Sequence, residues 1–164
     1  IAHFHHGIRE EANEDLEFVR KLAEEGEFPF YWDKGDVPKI ASEKGLSLEE
    51  VAREERYKFL INVAKSNNYN KIAVGHNKDD QIETFLHRLI RGAGLKGLTG
   101  ISPLGEREGI IIVRPLIECS REEIESYIKE LGVSPRIDRS NFDLRFTRNK
   151  IRHQLIPYLS LIHI

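Results

Sequence analysis

The feature that most constrains the fold is the passage from KIAVGH (71–76) straight into NKDDQIETFLHRLIRG (77–92). A short apolar run that feeds directly into a helical pattern is typical of a strand buried on both faces of a parallel sheet. Ile82, Phe85, Leu86, Leu89 and Ile90 fall at offsets 0, 3, 4, 7 and 8, which predicts a helix burying these five along one stripe. The unit recurs downstream. GIIIVRPL reads as a second such strand, and Ser120 with Glu123 forms a capping box for a helix that reaches Leu131 and stops at Gly132.

Upstream, IAHFHH reads as a strand end, and Leu16, Val19, Leu22 and Ala23 share one face of the next helix. A short strand is expected around Phe28–Trp32, then a helix opened by Pro38 and stopped by Gly45. Ser47 and Glu50 form a capping box for a longer helix striped by Leu48, Ala52, Phe59 and Val63. Strands alternating with helices imply an α/β fold, a doubly wound parallel sheet with flanking helices.

Past Gly132 the pattern changes. Arg9 to Glu55 holds fifteen acidic and seven basic residues, whereas Leu131 to Leu159 holds six basic and two acidic. A net charge of −2 argues against a general nucleic-acid binder, but this asymmetry suggests a polyanion-facing surface near the C-terminus. The expected division is a nucleotide-binding domain over 1–133, an arginine-rich linker and start of a helical region over 134–158, broken at Pro157, and a candidate non-native tail over 159–164. That tail, LSLIHI, fits nothing before it and reads as translated library adapter. At 40% hydrophobic and 32% charged residues the chain is globular in type, without an apolar run of membrane-spanning length. Cys119 alone excludes an internal disulfide or CxxC site. A cytoplasmic setting is expected, with no membrane partner.

In an open α/β sheet, ligands bind beyond the carboxyl ends of strands, where His76 stands. Asp79, Asp80 and Glu83 then stack in the first turns of the helix. One carboxylate is explained as a cap favoured by the helix dipole, but three repel one another unless Mg²⁺ or a cationic substrate relieves them. Four glycines follow Arg91 in RGAGLKGLTG, a composition suited to a loop wrapped around a ligand. His3 and His6 are too few for a metal site. Arg148 and Arg152 stand four apart, so both can face one phosphate-bearing ligand.

AHFHHGIR, AREERY, GHNKDDQIETFLHRLIRGAGLKGLTG, RPL, DRSN and FTRNKIRH occur in the order seen in tRNA(Ile)-lysidine synthetases. The chain resembles that family, part of the PP-loop ATP pyrophosphatase superfamily, from Ile1 to about Leu159. The resemblance implies a Rossmann-like domain that uses ATP and Mg²⁺ to adenylate C2 of the wobble cytidine of tRNA(Ile) with a CAU anticodon. L-lysine then displaces AMP to give lysidine. It assigns His76, Asp79, Asp80, Glu83 and Thr84 to the catalytic wall, with Asp79 and Asp80 as candidate Mg²⁺ ligands and the lysine ammonium as the alternative cation. It places His3, His6, Arg9, Arg91, Gly92, Arg148, Asn149 and Arg152 against ATP phosphates. Arg53, Arg56, Tyr57, Arg114, Arg136, Arg139 and Arg145 fall on the substrate or tRNA side, and a homodimer is left open.

The superfamily's SGGxDS phosphate loop is absent and is expected upstream of Ile1. This chain alone is therefore expected to be aggregation-prone and inactive in forming AMP and pyrophosphate. The alternatives are a PP-loop tRNA thiolase, for which one cysteine is a poor supply, an amide-forming synthetase of small molecules, and a non-catalytic nucleotide- or tRNA-binding module.

Overall fold

The computed structural model describes residues 1–8, 12–136, 142–144 and 146–161. Arg9, Arg139, Arg145 and the DRSN motif lie outside the described residues. The element order is β1 (Ala2–His5), α1 (Ala12–Glu25), β2 (Tyr31–Lys34), α2 (Val37–Lys44), α3 (Leu48–Ser66), β3 (Lys71–Ala73) and α4 (Lys78–Ile90). After a 3₁₀ turn at Leu95–Leu98 come β4 (Leu104–Arg107), β5 (Ile110–Val113) and α5 (Arg121–Glu130). The chain then forms α6 (Thr147–Lys150), a π-helical segment (Ile151–Leu155) and α7 (Ile156–Leu161). The strands form two sheets, β1-β2 and β3-β5-β4. The chain divides into two compact units, Ile1–Ile72 with Glu106–Ile112, and Ala73–Gly105 with Val113–Ile164.

In the first unit β1 and β2 pair in parallel, Ala2 opposite Tyr31 through His5 opposite Lys34. The second strand begins later than the apolar letters suggest. Pro29 has no N–H to give a ladder, so pairing starts beyond it, with Tyr31 N–H donating to Ile1 O at 2.9 Å. Asp36 Oδ1 accepts from Lys39 N–H at 3.2 Å to cap α2, and Gly45 closes that helix at φ 64°, where a side chain would be strained. Ser47 Oγ caps α3 by accepting from Glu50 N–H at 3.2 Å.

The core of this unit is Phe4, Val37, Ala41, Val51 and Phe59. The α3 helix buries Val51, Tyr57, Phe59, Ile61 and Ala64; of the stripe read from sequence only Phe59 is among them, Ala52 and Val63 being partly buried and Leu48 exposed. On α1, Leu16 and Ala23 are buried as expected but Leu22 is exposed.

The β4–β5 connection turns through Glu108 at φ 52° and Gly109 at φ 79°, two consecutive left-handed residues as a tight hairpin requires. Lys65 Nζ ties it to α3, donating to Glu108 Oε2 at 2.8 Å. Ile110 and Ile112 of β5 are buried and Ile111 is exposed, while β3 buries only Ile72. The expectation of strands buried on both faces is corrected here: three- and four-residue strands alternate, because each has one covered face.

In the second unit, α4 starts with a full capping box. Asn77 Oδ1 accepts from Asp80 N–H at 3.1 Å, and Asp80 Oδ2 accepts from Asn77 N–H at 2.9 Å. Its buried residues are Glu83 and Thr84, while Ile82, Phe85, Leu89 and Ile90 are exposed. The predicted stripe is thus the wrong face. It is helical in period, but α4 packs on α6 and the π-helical segment through its polar side. Ser120 and Glu123 form the expected box on α5. Pro157 does not break the C-terminal helix. It sits in the first turn of α7, and the preceding segment widens so that Ile156 N–H reaches Ile151 O. That widening relieves the clash of a proline ring with the carbonyl four residues earlier.

Candidate functional site

At the mouth of α4 each acidic group already has a task. Asp80 closes the capping box, and Asp79 Oδ1 accepts from Arg121 N–H, the first residue of α5, at 3.3 Å. Lys78 N–H donates to Cys119 O at 2.9 Å, so the starts of α4 and α5 are fastened together. Glu83 is 2% exposed and its Oε1 accepts from Arg152 Nε at 2.5 Å.

Arg152 lies in the π-helical segment, which aims its guanidinium at α4. Burial disfavours the charge on Arg152, but the hydrogen bond and negative charge of Glu83, then Asp80 and Asp79, hold it more firmly protonated than usual. The cation that three stacked carboxylates demand is therefore supplied from within the chain. Removing an acidic group from that set leaves a guanidinium partly desolvated and uncompensated.

The remaining predicted residues divide between the units. With the carboxylates in the second unit are buried Thr84, half-buried His76, Arg114 and Arg148, exposed Arg91, Gly92 and Arg136, and buried Asn149. Asn149 Nδ2 donates to Asp143 O at 2.8 Å, which gives it a structural task. Arg114 Nη1 donates to Ser102 O at 2.8 Å, and its Nε is buried without a hydrogen-bond partner. Gly92 is the left-handed cap residue after α4, at φ 74°.

In the first unit, His3 and His6 are half-buried, Arg53 is exposed and Tyr57 is buried with Arg53 and Arg56 beside its ring. Burial pushes the His3 imidazole below its usual range, opposed by Asp15 and reinforced by His5.

The glycine-rich stretch after α4 is pinned back on the helix. Gln81 Nε2 donates to Ile101 O at 2.6 Å while its Oε1 accepts from Ile101 N–H, and Arg88 Nη1 donates to the carbonyls of Gly97 and Gly100, each at 2.9 Å. A Cβ on Gly100 would stand 2.5 Å from Gln81 Oε1, so the close approach serves the helix. Gln81 and Arg88 escaped the sequence reading, although polar residues seven apart on one helix face were a usable signal. His5 escaped too: it is buried, and its Nδ1 accepts from Gly7 N–H at 3.1 Å. The exposed apolar side of α4 lines an open groove of about 590 Å³ with Ile156 and Leu159.

Among the described residues, no three His, Cys, Asp or Glu side chains group so as to hold a metal ion. Asp79 and Asp80 each commit one oxygen to a backbone N–H and keep a second. That donor set fits a Mg²⁺ shared with nucleotide phosphates and does not fit one caged by protein alone.

The model of the PP-loop domain family matches residues 1–159. The chain belongs to the PP-loop domain family. Within it, the chain is 45% identical over 160 residues to the tRNA(Ile)-lysidine synthase of Caldanaerobacter subterraneus subsp. tengcongensis, covering 97% of this chain and 33% of that protein. The enzymes of the same name from Clostridium acetobutylicum and Thermotoga maritima are 46% and 41% identical, covering 96% of this chain and 34% and 37% of theirs. The chain thus spans about a third of the length of the curated relatives it matches. Among solved structures, the U34-tRNA thiolase of Methanococcus maripaludis with its [4Fe-4S] cluster aligns with a TM-score of 0.66 at 17% identity, over 99% of this chain and 62% of that one. At that identity the likeness concerns the fold, an α/β arrangement with a parallel sheet and flanking helices. None of the described helices is long and apolar enough to cross a membrane.

Proposed function

We propose that this PP-loop domain is the catalytic region of a tRNA(Ile)-lysidine synthase. The reading is carried by 41–46% identity over nearly the whole chain to relatives of that name. In this reaction O2 of the wobble cytidine of tRNA(Ile) with a CAU anticodon attacks the α-phosphorus of ATP, and pyrophosphate leaves. The ε-amine of L-lysine then attacks C2, loses a proton, and AMP departs with the cytidine oxygen. ATP and Mg²⁺ are the cofactors and L-lysine and tRNA the substrates, and the reaction is placed in the cytoplasm.

The acidic face of α4 supports this reading. Glu83 pairs with one guanidinium, to which Asp80 and Asp79 add negative charge, and a substrate ammonium has the same charge. Lysine can take a place in that field once Arg152 shares Glu83, while the free oxygens of Asp79 and Asp80 meet Mg²⁺ carried by ATP. Residues 134–158 are taken as the start of the tRNA-contacting region.

A chimera tests the proposal: this chain replaces the matching third of the Caldanaerobacter relative, and labelled lysine incorporation into a CAU-anticodon tRNA(Ile) transcript is measured. Lysine incorporation is expected, with loss of about a hundredfold or more in Glu83→Gln, in line with removal of one preorganised charged group. A folded chimera that transfers sulfur and no lysine would sink the reading in favour of the thiolase.

A further inference from the structure

Beyond the carboxylate face, the first unit holds a cluster of positive charge around Tyr57, in which Arg53 and Arg56, placed on the substrate or tRNA side by the resemblance, are joined by Arg107. Tyr57 of α3 is 3% exposed, and its hydroxyl is buried without a hydrogen-bond partner. Three guanidiniums surround its ring, with those of Arg53 and Arg107 each 5.1 Å and that of Arg56 5.9 Å from the centroid. Arg107 comes from the end of β4, far from α3 in sequence, and the Lys65–Glu108 ion pair at 2.8 Å fixes the hairpin that carries it.

Each cation is favoured by about 0.5–1 kcal/mol at the face of an aromatic ring, yet three like charges around one ring repel. Two nearby carboxylates have lysine partners, although Glu108 also lies in the field of Arg107. Glu55 pairs with Lys58 at 2.7 Å and Glu108 with Lys65. Neither Arg53 nor Arg107 makes an ion pair or hydrogen bond among the described residues. Both are exposed, so their forked donors face outward from a ring that holds them in place. An orphaned phenol beneath exposed, preorganised guanidiniums lacks one component, an oxyanion with several acceptor oxygens.

We propose that Arg107 completes, with Arg53, Arg56 and Tyr57, a seat for a phosphate group on the α3–hairpin surface. Its ligand is a phosphate of the tRNA backbone or of ATP. Only the tRNA source rests on the function proposed above.

Binding of tRNA and of ATP to the chain is measured by fluorescence anisotropy between 50 and 200 mM salt, for the parent, Arg107→Ala, Arg107→Lys and Tyr57→Phe. For a backbone phosphate, Arg107→Ala weakens tRNA binding about threefold or more and lowers the salt slope by about one, with ATP unaffected. Arg107→Lys keeps the slope and recovers part of the affinity, and Tyr57→Phe weakens binding with the slope intact. A loss confined to ATP assigns the seat to the nucleotide. Unchanged affinity for both probes in Arg107→Ala overturns the seat and leaves the lysidine reading standing. A parent that binds neither probe overturns the seat and counts against that reading as well.

Discussion

The helices α3 and α4 have similar sequence credentials and opposite uses. Both begin with a side-chain cap and both carry apolar residues at helical spacing. The α3 helix buries Val51, Tyr57, Phe59, Ile61 and Ala64, whereas α4 buries Glu83 and Thr84 and turns Ile82, Phe85, Leu89 and Ile90 outward. The same contrast holds between the units. Of the buried hydrophobic side chains among the described residues, only Ile117 and Ile151 belong to the second unit. Apolar burial is concentrated in the first unit, and the buried glutamate–arginine pair belongs to the second. A helix that buries a glutamate against an arginine is organised around electrostatics, because burying a carboxylate alone costs more than most apolar contacts return.

The sharpest way to break this comparison is Arg152→Ala, which leaves Glu83 buried and unpaired. A loss of about 3–5 kcal/mol is expected in urea unfolding, with much of it recovered when Glu83→Leu is added to an Arg152→Leu background. Next comes a pair of truncations. Ile61→Ala in α3, from a side chain 1% exposed, should cost about 2–5 kcal/mol, whereas Phe85→Ala in α4, 41% exposed, should cost less than about 1 kcal/mol. Equal losses would show that the α4 stripe is covered in solution and the contrast false. Asn77→Ala removes a cap and should cost about 1 kcal/mol.

The smallest effect is a pH dependence in the first unit. Folding lowers the His3 pKa, so between the folded value and the unfolded value near 6.5 the unfolded chain binds more protons. Stability therefore rises with pH across that interval and falls as the solution is acidified through it. Replacing His3 with Gln should flatten the profile there, and an unchanged slope would assign it to another group.

The order of strands and helices was legible because α/β alternation, proline and glycine stops and capping residues are local signals. Ser120 with Glu123, Pro38 and Gly45 all act where the sequence placed them. The buried side of α4 was not legible, since hydrophobic period reports which residues share a face and tertiary packing decides which face is covered. The clustering of carboxylates was legible, and so was the need for a cation. That Arg152 answers it could not be read from spacing, because the partners lie 69 residues apart and the π-helical segment that aims Arg152 has no simple sequence sign. Arg107 was hidden for the same reason, its meaning resting on a hairpin that brings it to Tyr57.

Gln81 presents an amide that imitates a neighbouring strand, offering Ile101 both a donor and an acceptor, while Arg88, about two turns further along the helix, holds the carbonyls of Gly97 and Gly100. Two anchors at fixed points turn the loop into a measured length of rope. Apart from Gly97 and Gly100, where a Cβ would collide, its letters between Gly92 and Ile101 can drift, but adding or deleting one residue would slip both knots together. Natural variation in this segment should accordingly show substitutions and almost no change of length.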